Sequence, residues 1–452
     1  MLFLDAITFQ YLGADHPCLN NVSLSLDRDR ICILAGDNGS GKTTLGLIAC
    51  GVIPHLIKGT FVGRVSWNDE VLSESTVGAH STVVFQNPYT YFQGCSIEDE
   101  LSLCPPADRA IEDVSGKLLP DVPVDRPLHI LSFGQQARVA LCSALRQPTP
   151  ILVLDEPFEA LDDTGIALVG EALAVALQSK RLVIVIHRWE LPFPSHIAYR
   201  TLLVDRGAVR DGTMLGEVAY PSIHDHATGG PVLDVRGLSF SYGGATGFSI
   251  RDVSLVVHAG EMLALVGPNG CGKSTLLLVM ANLLKRGAGE ILLGGHKVEP
   301  ANLRRLVRCV LQNPDSQTFG TSIREELEFG LRAAGVDPLA IKERVESFRQ
   351  YLPFDLSSDP FRLSYGQKKL LSLLAAFIVE PSVLLLDEPV AGLDVESTGK
   401  FCYLAETFLA QGGGIVMTAH SVAEVETFCS RVLQMSGGVL TGEQRIGPSL
   451  RS

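Results

Sequence analysis

The sequence predicts an α/β protein built twice over, each half with a mostly parallel core sheet, and three observations lead there. Six short stretches recur in the same order at an offset of about 230 residues. Unbroken apolar runs of the buried-strand type alternate with longer segments of helical spacing in both halves. With 452 residues, 46% of them apolar and 19% charged, the chain is too long for one ordinary core and suits two.

The repeats can be followed by eye. "FQYLG" from Phe9 matches "FSYGG" from Phe240, and "GDNGSGKTTL" from Gly36 matches "GPNGCGKSTL" from Gly267. "QNPYTYFQG" from Gln86 matches "QNPDSQTFG" from Gln312, "LSFGQ" from Leu131 matches "LSYGQ" from Leu363, "ILVLDEP" from Ile151 matches "VLLLDEP" from Val383, and His187 matches His420. The halves are collinear, except that the first has about six residues fewer between Gln86 and Leu131. The expected organisation is a domain over 1–212, a linker over 213–231 and a second domain over 232–452. The linker stretch mixes Gly, Pro and His without periodicity and is short enough to keep the halves together.

Individual elements follow from periodicity. Val22, Leu24 and Leu26, and again Val253, Leu255 and Val257, alternate as half-buried strands do. The runs ICILAG, ILVLD and LVIVI in the first half, and MLALVG, VLLLD and GIVMTAH in the second, are apolar throughout, as strands covered on both faces are. QQARVALCSALRQ and QKKLLSLLAAFI carry helical spacing, and the alternation of the two kinds argues for α/β layering.

Composition narrows the function. The net charge of −13 and the absence of a Lys/Arg block argue against a nucleic-acid partner. Ten scattered cysteines without a Cys-x-x-Cys pair fit reduced thiols better than a disulfide frame or a zinc site. The N-terminus lacks the basic start of a signal peptide, and the apolar passage Leu370 to Leu386 is broken by Glu380-Pro381, so it is not expected to span a membrane. A role at a membrane would require partners.

The strongest chemical signal is Gly-x4-Gly-Lys-Ser/Thr, found as Gly36, Gly41, Lys42, Thr43 and as Gly267, Gly272, Lys273, Ser274. Each motif follows a strand-like run and opens a helix-like one. In that context backbone N–H groups and a helix N-terminus hold phosphates, Lys reaches the β/γ-phosphates and the hydroxyl meets Mg²⁺. The phosphate-cradling set expected here is Gly36, Asn38, Gly39, Ser40, Gly41, Lys42, Thr43 and Thr44 in the first half. In the second it is Gly267, Asn269, Gly270, Cys271, Gly272, Lys273, Ser274 and Thr275.

An apolar strand ends in Asp155-Glu156 and in Asp387-Glu388. The first carboxylate of each pair can hold Mg²⁺ and the second can orient or deprotonate an attacking water. His187 and His420 close later apolar runs, where a ring can reach a γ-phosphate beside the neighbouring strand. Leu-Ser-x-Gly-Gln places a hydroxyl and a glycine at an expected helix start, offering N–H groups to an anion. Tyr11 and Tyr242 either pack in a core or stack on a base.

As a set, the order Tyr, P-loop, Gln loop, Leu-Ser-x-Gly-Gln, Asp-Glu and His resembles the ATP-binding cassette (ABC) ATPases over nearly the whole chain, in two tandem copies. The resemblance implies P-loop NTPase domains with an added antiparallel β subdomain and a helical subdomain. It implies ATP and Mg²⁺ as cofactors and two head-to-tail sites. Site one would combine Lys42, Thr43, Gln86, Asp155, Glu156 and His187 with Ser364, Gly366 and Gln367. Site two would combine Lys273, Ser274, Gln312, Asp387, Glu388 and His420 with Ser132, Gly134 and Gln135. Glu156, Glu388, His187, His420, Gln86 and Gln312 would be catalytic, and Thr43, Gln86, Asp155, Ser274, Gln312 and Asp387 would face the metal.

"QNPDSQTFGTSIREELEFG" resembles the corresponding region of the energy-coupling factor ATPases. That implies an ATPase on the cytoplasmic face of the cell membrane, peripheral, joined to a membrane scaffold subunit and a substrate-binding membrane subunit. The cargo would be a vitamin or related micronutrient, or a transition-metal ion. Two other readings are the ATPase of a different ABC transporter class and a soluble tandem ABC ATPase acting on ribosomes. The short linker in an acidic chain speaks against the latter.

The sequence also departs from the family. The first copy has Tyr89 where the second has Asp315, so either the two loops meet different parts of a scaffold or Tyr89, Tyr91 and Phe92 pack a shorter helical subdomain. Phe133 and Tyr365 replace the usual glycine of the Leu-Ser-x-Gly-Gln motif. Cys271 sits within the second P-loop, where a thiol reagent is expected to inhibit and ATP to protect.

Overall fold

The computed structural model describes residues 1–26, 30–37, 39–73, 79–106, 109–119, 122–131, 133–158, 161, 163–179, 182–186, 199–212, 223, 229–243, 249–422 and 424–446. The chain divides into two compact units, Met1–Glu217 and Val218–Ser452. Asn38, Ser132 and His187 lie outside the described residues, as do 213–222 and 224–228 of the expected linker. Within that stretch Ile223 is buried with the second unit's core and its N–H bonds the Thr427 carbonyl at 3.2 Å.

In the first unit a six-stranded sheet has the spatial order Ala208–Asp211, Tyr199–Asp205, Arg30–Ala35, Leu182–Ile186, Ile151–Asp155 and Ser81–Val84. Its strands pair in parallel, apart from Ala208–Asp211 at one edge. The second unit repeats it as Val307–Val310, Val383–Leu386, Gly414–Ala419, Met262–Val266, Arg431–Ser436 and Val439–Arg445. Again only the last of these is antiparallel to its neighbour.

Apolar runs become central strands because both faces are covered. Ile31, Ile33 and Ala35 point into a layer shared with Leu141, Leu145 and Leu173 of the helices Phe133–Arg146 and Asp163–Ser179. Cys32 and Leu34 point the other way, toward Leu45, Ile48 and the strand residues Leu4, Ile7 and Phe9. Met262, Ala264 and Val266 against Leu263 and Leu265 repeat that split in the second unit. The outer layer is a four-stranded antiparallel sheet in each unit, with Leu2–Tyr11 or Pro231–Ser241 paired between two neighbours. Along Ser249–His258 the expected alternation buries Val253, Leu255 and Val257; along Leu19–Leu26, Val22 and Leu26 are buried and Leu24 only partly so.

After the Gln loop each unit adds a helical pair, Ile97–Ser102 with Arg109–Leu118 and Ile323–Ala333 with Pro338–Phe348. The first helix of this pair is five residues shorter in the first half, and the longer connection after it makes up part of that difference. Pro105 and Pro106 follow the shorter helix closely, and proline neither donates an N–H to a helix nor lets its predecessor stay helical. The expected fold, a parallel core sheet with antiparallel and helical subdomains in two tandem copies, is present in both units.

The second unit's core centres on Phe401, which is fully buried and packs near Phe377. Phe401→Ala is expected to cost about 3–5 kcal/mol, through lost burial and the cavity left behind. Urea unfolding of the full chain checks it, and only the transition that carries the second unit is expected to move.

Candidate functional site

The P-loops, the Gln loops and the Asp-Glu pairs leave the carboxyl ends of strands of the parallel sheet, where α/β proteins gather ligand-binding loops. Arg30–Ala35 leads through the first P-loop into the helix Lys42–Ala49, and Met262–Val266 leads through the second into Lys273–Met280. Gly41 and Gly272 open those helices at φ 105° and 110°, a left-handed backbone that side chains with a Cβ rarely adopt. The loop also presses on its neighbour: a Cβ at Gly36 or Gly267 would stand 2.2 Å from the carbonyl oxygen of Val204 or Met435.

The lysines arch back over these loops. Lys42 Nζ donates to the carbonyls of Gly36 (2.8 Å) and Asp37 (2.9 Å), and Lys273 Nζ to those of Gly267 (2.6 Å) and Pro268 (3.4 Å). Each ammonium thus lies beside a ring of backbone N–H groups, an arrangement suited to a polyphosphate. The Ser40 hydroxyl, buried inside the first loop, has no hydrogen-bond partner among the described residues. An acceptor-rich anion seated in the loop would supply one.

The metal candidates are already in contact. Thr43 Oγ1 donates to both carboxylate oxygens of Asp155, at 3.0 and 3.2 Å, and Ser274 bonds Asp387 in the same way. Burial, followed by the neighbouring Glu156, pushes the Asp155 carboxyl up to about 7, with Thr43 and Lys42 opposing. Asp387 is likewise raised, by burial and then by Glu388. A divalent cation beside either group would reverse that and hold the carboxylate ionised, so hydroxyl plus carboxylate is a donor set that fits Mg²⁺.

Glu156 and Glu388 each sit at φ 48°. Non-glycine residues adopt that conformation at a cost of about 1 kcal/mol or more, and such strain collects at working sites. The Glu156 N–H is held by the Ile186 carbonyl (2.8 Å) and the Glu388 N–H by Thr418 Oγ1 (3.0 Å), whose own proton goes to Asp387 (2.6 Å). Gln312 Nε2 donates to Glu388 Oε2 at 2.7 Å. The His420 ring lies 3.1 Å from the other oxygen, within ion-pair range but without the alignment of a full hydrogen bond. Burial alone would raise the Glu388 pKa, yet His420, Lys273 and Lys369 leave it lowered; burial opposes charge on His420, yet Glu388 leaves that pKa raised. Each group thus favours the charged form of the other. In the first unit Gln86, Asp155 and Glu156 line one small cavity together.

Other expected residues are placed as follows. Ser364 caps the helix Tyr365–Phe377 in a reciprocal box with Gln367, with Gly366 buried in its first turn. Gly134 and Gln135 lie in the first turn of Phe133–Arg146. Gly39, Asn269, Gly270, Thr44 and Thr275 lie along the two P-loops and their helices. The Tyr11 hydroxyl bonds Thr44 Oγ1 at 2.9 Å, tying that ring to the P-loop helix, while Tyr242 is 45% exposed. Cys271 is only 5% exposed, and burial raises its thiol pKa, which disfavours the thiolate that a reagent needs.

Sequence reading missed four contributors. Thr418 joins Asp387 to Glu388. Glu100 accepts the N–H groups of Gln93 and Gly94 in the first unit, and Glu326 those of Phe319 and Gly320 in the second. Lys369, fully buried, donates to the carbonyls of Leu311, Gln312 and Asp387. A signal existed for the last: Lys369 falls on the apolar face of its helix, four residues before the buried Leu373.

The Asp155 shift has a testable sign. The folded chain keeps that proton up to about pH 7, whereas an ordinary Asp releases it near 3.8, so stability falls as pH rises between those values and stays reduced above them. Asp155→Asn is expected to stabilise the nucleotide-free chain at pH 8 by about 1–3 kcal/mol while impairing activity. Melting curves at pH 5 and pH 8 without Mg²⁺ check it, and the gain is expected to shrink at the lower pH.

Comparison with known proteins agrees with this geometry. The family model described as ABC transporter matches twice, over residues 19–159 and 250–391, together more than half of the chain. An ABC transporter ATP-binding protein of Treponema denticola, so named provisionally, is 26% identical over all of this chain and 98% of its own length. A protein of Bacillus subtilis (strain 168), provisionally named HMP/thiamine import ATP-binding protein YkoD, is 27% identical over 96% of this chain and 89% of its own. Among solved structures, cbiO1 from Clostridium perfringens, titled as part of the ABC transporter complex cbiONQ, is 27% identical with a TM-score of 0.43, covering 49% of this chain and 90% of that one. Two P-loops, two buried Asp-Glu strand ends and two family matches in register lead to one conclusion: the chain belongs to the ABC transporter family, as an ATP-binding protein with two tandem ATPase cassettes.

Proposed function

We propose that the chain is the ATP-hydrolysing subunit of a membrane importer of the energy-coupling factor type, driving uptake of a vitamin, a related micronutrient or a transition-metal ion. The observation that carries this is the segment after Gln312. Gln312 touches Glu388, while seven residues on Phe319 is 57% exposed and stacks edge-on with the exposed Phe329. One short loop thus runs from the hydrolytic carboxylate to an apolar surface suited to a membrane subunit. The resemblance of this loop to energy-coupling factor ATPases and the thiamine-import name carried by the Bacillus subtilis relative support the same reading.

The domains proposed are 1–212 and 232–452 with a linker between them, and the cassettes pair head to tail. In each half Lys42 or Lys273 binds the β- and γ-phosphates, and Thr43 with Asp155, or Ser274 with Asp387, holds Mg²⁺ together with Gln86 or Gln312. Bound Mg²⁺ neutralises phosphate charge. Glu388, ionised and tethered by Gln312, accepts the proton of the attacking water, and His420 steadies the γ-phosphate; Glu156 and His187 have those roles in the first half. Ser364, at a helix start, presents N–H groups and its hydroxyl to the ATP of the opposite half, and Ser132 has that role in the first half. Among the described residues no helix is long and apolar enough to cross a membrane, and the proposed place of work is the cytoplasmic face, through a scaffold subunit and a substrate-binding subunit.

Replacing both Glu156 and Glu388 by Gln is expected to lower turnover by about 10²–10⁴ while ATP still binds. Turnover at the parental rate in that double variant sinks the hydrolytic assignment. Membrane proteins that copurify with the chain and restore ATP-dependent uptake of a micronutrient support the importer reading, whereas copurification with ribosomes overturns it.

A further inference from the structure

The two Gln loops are not held alike. In the second unit the loop is laced to the helix Tyr365–Phe377 by three side chains on its first two turns. The Tyr365 hydroxyl donates to the Gln312 carbonyl at 3.0 Å. Lys369, one turn on, donates to the same carbonyl (2.8 Å), to that of Leu311 (3.3 Å) and to that of Asp387 (3.1 Å). Lys368 pairs with Asp315 at 2.7 Å. A fully buried ammonium that meets three carbonyls has a partner for every N–H, so this lysine is neither strained for bonds nor easily displaced.

Its three acceptors matter more than its charge. Two belong to the loop that carries Gln312, and the third belongs to the strand end that carries Asp387 and Glu388. The lysine therefore pins the base of the glutamine to the base of the glutamate, and the 2.7 Å contact between their side chains sits on top of that bridge.

In the first half the matching positions carry other groups. In register, Tyr365 corresponds to Phe133, which has no hydroxyl; Lys369 to Ala137, which has no donor; and Lys368 with Asp315 to Gln136 with Tyr89, which carry no charge. Ala137 instead borders a cavity of ≈ 20 Å³ together with Gln86, Asp155 and Glu156, room for about one water. All the differences fall on one helix face and act on one loop.

We infer that Tyr365 and Lys369 are positioning residues that fix Gln312 against Glu388 and so set the turnover of the second half's site. This rests on the hydrolytic roles proposed above for Gln312 and Glu388. It also gives a purpose to Tyr365, which stands where the family has glycine.

The test uses the full chain in a Glu156→Gln background, where the remaining turnover belongs to the second half. Tyr365→Phe with Lys369→Met, both close in shape to the originals, is expected to lower kcat about 10-fold with the KM for ATP changed less than about twofold, the signature of a misplaced group rather than lost binding. Amide exchange at Gln312 and Asn313 is expected to speed up while the strand Gly414–Ala419 keeps its protection. A role in stability alone would loosen both regions. Should the lysine change prevent folding, Tyr365→Phe alone removes one bond and is expected to lower kcat about threefold.

An unchanged kcat and unchanged exchange at Gln312 overturn the inference, as does loss of protection spread evenly over the second unit. The parent backgrounds separate the two readings. If the double variant Glu156→Gln, Glu388→Gln still hydrolyses ATP, the hydrolytic reading fails; if that variant is dead and the Tyr365 and Lys369 changes do nothing, only the positioning role fails.

Discussion

A carboxylate buried at the carboxyl end of a central parallel strand is costly, and each half is arranged around that cost. Asp155 and Asp387 are both nearly inaccessible, and each stands next to a glutamate of the same sign. Neither would persist without something to bind. The P-loop hydroxyl partly offsets the burial, and the next strand contributes a second fastening, the Thr418 hydroxyl in the second half. What remains is a site that favours a divalent cation, with a phosphate cradle one strand away. The backbone at Glu156 and Glu388, at φ 48° in both, adds strain at the same strand ends.

The parallel sheet makes this placement possible. Strands covered on both faces are apolar to their ends, so the polar residues that follow them emerge together along one edge. That is why the P-loops, the Gln loops, the Asp-Glu pairs and His420 come from distant parts of the sequence and still meet. The antiparallel sheet and the helical pair meet the site at its margins, through Tyr11 on Thr44 and through Glu100 and Glu326 on the loops after the glutamines. They flank the site, and the helical pair carries the exposed aromatics beside the Gln loop.

Much of this was legible in the sequence, for physical reasons that also mark where legibility ends. The P-loops and Asp-Glu ends were readable because their chemistry depends on residues close together in the chain. The central strands were readable because double burial leaves long apolar runs. Lys369 showed in the sequence only as a cation on an apolar helix face, because its partners are the backbone carbonyls of Leu311, Gln312 and Asp387, and carbonyls carry no sequence signature. Tyr365 looked like an irregular signature residue, and only the fold shows its hydroxyl on Gln312. The low exposure of Cys271 was not legible, because its position in a phosphate loop suggested access. Glu100 and Glu326 read as ordinary helix-start acids, yet they staple the loop that precedes their own helix.

The central claim is that each half builds a complete nucleotide cradle, however differently the two Gln loops are held. The most direct measurement is the number of ATP molecules bound per chain, by equilibrium dialysis with Mg²⁺, on a chain whose hydrolysis has been silenced at both glutamates. The account predicts two, with both lost stepwise when Lys42 and then Lys273 is replaced by Ala. A single bound ATP, unaffected by one of those changes, would contradict it.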